Sequence, residues 1–261
     1  MSTCRGTVIL DLDGVVYLGR EGVRGAAQVL TGIERRGFEG LFCTNNSSRT
    51  KAACAEKIRR TTGYPARIEQ VFTSAMAAAH LLREEHPPSL VVGGPGIVEA
   101  LEGIAAPVVK DWKEAKAVVI GFASQLTYGL LRDACQAVWA GARLIATNTD
   151  PSFPTDEGIW PAAGSIVAAV EYATGQKAVV AGKPQEPMIQ LIKERVSTKR
   201  VMMVGDRPET DLQLAANAGW YSVLALSGVT KTPPSSPRPD AVVESIADLG
   251  DELDKFEERR F

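Results

Sequence analysis

The chain has 261 residues, 45% of them hydrophobic and 23% charged, with a formal net charge of −2. That is room for two ordinary domains and the composition of a soluble globular protein. The near-neutral balance gives no electrostatic footing for nucleic acid or an anionic membrane, and no apolar run reaches membrane-span length. Met1 to Thr7 holds no apolar signal-peptide core. Cys4, Cys43, Cys54 and Cys135 form no C-x-x-C pair, which points to a reducing cytoplasm rather than to zinc or disulfides. His80 and His86 read as surface residues.

In chain order, Val8-Ile9-Leu10 is a short apolar run, predicted as a strand buried on both faces, that ends in Asp11-Leu12-Asp13-Gly14. Gly19 to Gly22 is a turn able to close a hairpin. Residues 25–36 are predicted helical, with Val29, Leu30 and Ile33 on one face and Gly37 as the stop. Gly40 to Cys43 is a second strand, ending in Thr44-Asn45-Asn46-Ser47-Ser48, and helix follows to about Thr62. A β-α-β-α order predicts a parallel sheet, hence an α/β, doubly wound fold.

An alanine-rich helix is predicted over 74–85. Strands follow at Leu90–Val92, Ala117–Ile120 and Leu144–Ala146, with a helix over 127–140 between the last two. Gly93-Gly94-Pro95-Gly96 reads as a strand-to-helix turn, since the lysine of a phosphate-binding P-loop is missing. Pro151, Pro154 and Pro161 mark a polar loop before a helix over about 164–174. The division expected is a core of 1–78 and 181–261 with an inserted α/β domain of 79–180. Strands at Ala178–Ala181, Val201–Val204, Tyr221–Leu226 and Ala241–Val243 complete the pattern, with helices over 186–196, from Glu209, and at the C-terminus.

Four apolar runs thus end beside Asp11, Thr44, Lys183 and Asp206. In an open parallel sheet the C-terminal strand ends share one edge, where ligands bind, so these residues are expected to converge. Two carboxylates at i and i+2 on a buried strand end need a partner, and a divalent cation is the simplest one; an N-cap aspartate is the alternative for D-x-D-G alone. The chemistry implied is phosphoryl transfer, in which positioning and charge neutralisation lower the barrier. Lys183 offers fixed positive charge. The Thr44 hydroxyl and the backbone N–H groups after Thr44 and Asp11, Gly14 among them, offer donors to phosphate oxygens. Asp206 completes a cation site whose water shell Asp211 orients. Asp11 or Asp13 is left as nucleophile, with the other as general acid and base.

D-L-D-G-V-V-Y, T-N-N-S, G-K-P and G-D-R-P-E-T-D, in this order, resemble the four motifs of the haloacid dehalogenase superfamily of phosphatases. A-T-N-T-D-x-x-x-P-T-x-x-G and A-G-S-I-x-A-A-V-E-x-A-T-G are similar to its NagD-like branch, which includes p-nitrophenyl, phosphoglycolate, glycerol phosphate and pyridoxal phosphate phosphatases. The resemblance implies a Rossmann-like core with an inserted α/β cap. It makes Asp11 the nucleophile. Asp13 becomes the acid/base and gives Mg2+ a backbone carbonyl, Asp206 is a Mg2+ ligand, and Asp211 supports the metal's water shell. Thr44, Asn45 and Lys183 become phosphoryl-binding residues. Cap residues would read the leaving group, with Asn148, Asp150 and Trp160 as candidates, and caps of this branch often pair into dimers. Ala163 and Met188 stand where the family often has glycine and an aromatic residue.

The function expected is a Mg2+-dependent, cytoplasmic phosphatase acting on a small phosphorylated metabolite, with no nucleic-acid or membrane partner. A phosphomutase is the second enzyme reading, disfavoured because only a hairpin fits where mutases carry a cap. Asp13 disfavours a dehalogenase, which needs no acid for its leaving group. A non-catalytic metabolite-binding protein would have no need of the Asp11–Asp13 pair.

Overall fold

A computed structural model of the chain describes residues 4–155 and 157–259. Met1 to Thr3, part of the segment read for a signal peptide, lie outside the described residues. The elements are β1 (Gly6–Leu10), β2 (Tyr17–Leu18), β3 (Glu21–Gly22), α1 (Ala26–Arg35), β4 (Phe38–Thr44), α2 (Lys51–Thr62), β5 (Val71–Thr73), α3 (Ser74–His80), β6 (Ser89–Val92), α4 (Pro95–Gly103), β7 (Val108–Val109), β8 (Ala117–Ile120), α5 (Tyr128–Trp139), β9 (Arg143–Ala146), β10 (Ser152–Thr155), β11 (Gly158–Pro161), α6 (Ala163–Thr174), β12 (Val179–Val180), α7 (Glu186–Arg195), β13 (Val201–Gly205), α8 (Gln213–Ala218), β14 (Tyr221–Ala225), β15 (Ala241–Val243) and α9 (Leu249–Glu258). Two compact units result. One runs to Thr44, takes up Ala52–Phe72 and resumes at Ile192; the other holds Asn45–Lys51 and Thr73–Leu191. Among the described residues no helix is long and apolar enough to cross a membrane.

The first unit is built on a six-stranded sheet in the order β15-β14-β13-β1-β4-β5. Every residue of β1 is buried, because the strand pairs in parallel with β13 on one side and β4 on the other and is covered on both faces. The chain leaves β1 towards β4 and returns on the other side at β13. The strand order therefore reverses between β1 and β13, where open α/β sheets place their ligands. Helix α1 turns Leu30 and Ile33 into the core, and α9 contributes Leu249, Leu253 and Phe256. The Phe256 ring lies 5.9 Å from Phe38 and 5.4 Å from Tyr221, contacts worth about 0.5–1.5 kcal/mol each beyond their buried area.

The second unit carries a five-stranded sheet in the order β12-β9-β8-β6-β7. Two expectations are corrected here. The apolar run at 178–181 does not join the strands that end at Asp11, Thr44 and Asp206. As β12 it pairs with β9, Val179 facing Ile145 and Val180 facing Ala146, so Lys183 follows a strand of the second sheet. The proline-marked loop is instead an antiparallel hairpin, β10–β11. An isolated two-stranded ribbon tolerates proline. Phe153 sits opposite Trp160, with ring centroids 6.4 Å apart, and packs edge-on against Phe122 at 5.0 Å, the kind of cross-strand pairing that holds a ribbon.

The Gly-Gly-Pro-Gly stretch is the strand-to-helix turn expected, with Pro95 opening α4. Its glycines serve packing. A Cβ on Gly94 would stand 2.4 Å from the Ser48 carbonyl oxygen, and one on Gly96 would stand 2.1 Å from that of Arg49.

Candidate active site

Asp11 follows β1 directly and its N–H donates to the Val204 carbonyl at 2.8 Å, which extends the pairing with β13 by one residue. Asp206 follows β13. Parallel neighbours end at the same edge, so the two carboxylates emerge side by side. Next comes a π-helical turn over Pro208–Leu212 that brings Asp211 back beneath the strand end. Asp211 Oδ2 accepts the N–H groups of Asp206 at 3.2 Å and Arg207 at 3.1 Å. Asp206 Oδ2 accepts the Val229 N–H at 2.7 Å.

The result is a cluster of three buried carboxylates. One oxygen each from Asp11, Asp206 and Asp211 lies within 4.8 Å of the others. Two glycines make the space: a Cβ on Gly228 would fall 2.0 Å from Asp206 Oδ2, and one on Gly14, at φ +99°, would fall 2.4 Å from it. Gathering three carboxylates out of water costs several kcal/mol per ion unless opposite charge compensates them. An all-oxygen, acidic donor set fits a hard divalent cation such as Mg2+. Asp11, Asp206 and Asp211 are the side chains that would hold it. Asp211, expected to act only through the water shell, stands inside the cluster.

The Asp13 side chain stands outside that cluster, 55% exposed. Lys57, from α2, places Nζ 3.5 Å from Asp13 Oδ1 and 3.6 Å from the centroid of the Tyr17 ring. Sequence reading missed Lys57, and no local signal marks it, because the contact spans 44 residues. The Gly14 N–H was expected to meet phosphate. It donates instead to the Tyr17 carbonyl at 2.9 Å, closing the loop, and Gly14 serves the site through its missing side chain.

Thr44 ends β4 and is buried in the first unit. Asn45, Asn148, Asp150 and Lys183 come together in the second. Asn45 Oδ1 accepts the Lys183 N–H at 2.8 Å; its Nδ2 donates to the Lys183 carbonyl at 3.1 Å and to Asp150 Oδ1 at 3.4 Å. Asn148 Nδ2 donates to the Asn45 carbonyl at 2.7 Å, and Asn148 Oδ1 accepts the Asp150 N–H at 3.1 Å. Both amides, expected as ligand contacts, are engaged inside the protein. Trp160, on the hairpin, is 39% exposed.

A family model described as haloacid dehalogenase-like hydrolase matches residues 8–106, and one described as HAD-hydrolase-like matches residues 180–249. Mouse chronophin is 36% identical over 95% of this chain and 92% of its own length. The chain belongs to the haloacid dehalogenase-like hydrolases. Among solved structures, this hydrolase is similar to the 4-nitrophenylphosphatase of Thermotoga maritima, with a TM-score of 0.86 and 32% identity over 96% of this chain and 98% of that one. It is equally similar to the glycerol phosphate phosphatase of Mycobacterium tuberculosis in complex with magnesium, with a TM-score of 0.86 and 32% identity over 96% of this chain and 79% of that one.

Proposed function

We propose that this hydrolase is a Mg2+-dependent phosphatase of small phosphomonoesters, acting through an aspartyl phosphate on Asp11. The observation that carries the reading is the buried cluster of Asp11, Asp206 and Asp211 at the switch point of the sheet. Bound Mg2+ supplies charge neutralisation at the phosphoryl oxygens. Asp11 Oδ attacks phosphorus and the ester P–O bond breaks. Asp13, in its acid form, gives its proton to the departing alkoxide. As carboxylate it then takes a proton from water, whose oxygen attacks the phosphoaspartate and releases inorganic phosphate. A solvent-facing Asp13 suits a group that must meet both an alcohol and water. Lys183 supplies positive charge to the phosphoryl group, and Thr44 a hydroxyl donor.

The related glycerol phosphate phosphatase supports a phosphorylated polyol as substrate, and the sequence resemblance adds sugar, glycolate and pyridoxal phosphates to the candidates. Asp150 and Trp160 are proposed to read the leaving group. Four free thiols favour the cytoplasm. The exposed rings of Tyr128, Trp139 and Tyr172 in the second unit favour a homodimer formed through the inserted domain, which light scattering on wild type and Trp139→Glu tests.

The decisive experiment is phosphate release from a panel of these esters with Mg2+ and with EDTA. Release that EDTA abolishes and Mg2+ restores is expected; release indifferent to EDTA, or none from any ester, overturns the proposal.

A further inference from the structure

We infer that Asn45 is a positioning residue for Lys183, acting through the lysine backbone rather than as a phosphate ligand. The inference rests on the phosphoryl-binding role proposed for Lys183. Lys183 lies in the loop beyond β12, past the last residue of the strand ladder. What replaces the ladder is the Asn45 amide, which copies a paired peptide group. Its Oδ1 takes the Lys183 N–H at 2.8 Å and its Nδ2 gives to the Lys183 carbonyl at 3.1 Å. Bonds on both sides of one Cα restrict φ and ψ together, and so fix the direction in which the side chain leaves the backbone.

Asn45 is itself held. Its carbonyl accepts Ser74 Oγ at 2.6 Å and Asn148 Nδ2 at 2.7 Å. Asn45, Ser74, Asn148 and Lys183 are each 9% exposed or less. Gly182 makes the approach possible, because a Cβ there would stand 2.6 Å from Asn45 Oδ1 and 2.4 Å from the Thr147 carbonyl. The Nδ2 donors go to Lys183 O and Asp150 Oδ1, so the side chain has no N–H left for a phosphoryl oxygen. Aspartate would keep the acceptor, lose the donor, and set a second carboxylate against Asp150.

The test is a double-mutant cycle with p-nitrophenyl phosphate as substrate, inorganic phosphate as competitive inhibitor, and thermal melts as the control for folding. Lys183→Ala is expected to lower kcat/KM about 100-fold. Asn45→Ala is expected to lower it about 10-fold or more and to raise the inhibition constant of phosphate in step. The double variant should fall within about threefold of Lys183→Ala, because residues acting through one contact do not add. Asn45→Asp, close in size, carries the same comparison if the alanine variant fails to fold. A double variant whose loss is the product of the single losses overturns the inference alone, as does unchanged turnover and phosphate inhibition in Asn45→Ala. Unchanged turnover in Lys183→Ala overturns the role of Lys183, and the inference falls with it.

Discussion

The edge that carries Asp11 and the loop that carries Lys183 solve opposite problems. At the first, three like charges are gathered by strand adjacency and a π-helical turn, with glycines cut away around them. At the second, one cationic residue is held by neutral amides and a hydroxyl. A cluster of like charges is defined by the counter-ion it demands, and modest error in any one carboxylate is absorbed when a cation binds. At Lys183 the Asn45 amide holds the backbone on both sides of the Cα, so direction comes from hydrogen bonds, whose strength falls steeply with angle. Charge makes the first region chemically legible, and hydrogen-bond geometry orients the second.

The sharpest way to break the comparison is to remove charge without removing shape. Asp11→Asn keeps the volume and removes the nucleophile, so turnover should fall by about 10³-fold or more while circular dichroism and the melt are retained. Unchanged phosphate release would refute the mechanism. Next in size is Gly228→Ala. Its methyl group would press within 2.0 Å of Asp206 Oδ2, which the Val229 N–H holds in place. The Mg2+ concentration giving half-maximal activity is expected to rise about 10–100-fold, the usual cost of disturbing a ligand's support. A Mg2+ titration identical to wild type would show that the cluster is not the metal site.

What the sequence revealed follows the same division. Asp11 and Asp206 were legible because each ends a short apolar run, and sheet adjacency does the rest. Asp211 was visible as a motif residue, but its entry into the cluster was not, since an α-helical turn and a π-helical turn read alike in sequence. The run Ala178–Ala181 reads as a strand in either sheet; only its register with Ile145 and Ala146 assigns it to the second. The β10–β11 hairpin was hidden because proline content signals loop more strongly than one aromatic pair signals pairing. Lys57 and the amide bonds of Asn45 were invisible, because they link positions tens to more than a hundred residues apart.

A smaller effect should separate Asp13 from the carboxylate cluster. Lys57→Met removes the contact that orients the Asp13 side chain and substitutes none of the three clustered aspartates. An alkyl phosphate needs a protonated leaving group and p-nitrophenyl phosphate hardly does. Hydrolysis of glycerol phosphate should therefore fall about tenfold, and that of p-nitrophenyl phosphate about two- to threefold, with Lys57→Arg restoring both. Equal losses on the two esters would show that Lys57 acts on structure and not through Asp13.

The smallest effects distinguish the units by the pH at which each loosens. In the first unit burial pushes the Tyr221 hydroxyl up to about 12, helped by its hydrogen bond to Glu252 at 2.5 Å. Tyr64 is likewise raised to about 12, chiefly by burial. A phenol with a raised folded pKa contributes stability that is whole below about pH 10 and is lost as pH climbs towards 12. In the second unit the Glu171 carboxyl is lowered, first by its hydrogen bond from Lys177 and then by the Ala178 N–H. Its contribution is present above the ordinary carboxylate range and lost as pH falls through the depressed value. Alkaline melts should therefore expose first-unit amides to hydrogen exchange first, and acid melts second-unit amides. Tyr221→Phe should cost about 1 kcal/mol at neutral pH, from the lost bond to Glu252, yet flatten the alkaline limb. Glu171→Gln should flatten only the acid limb. If either substitution altered the opposite limb instead, the two units would not be titrating as separate bodies, and the contrast between their sites would lose its thermodynamic basis.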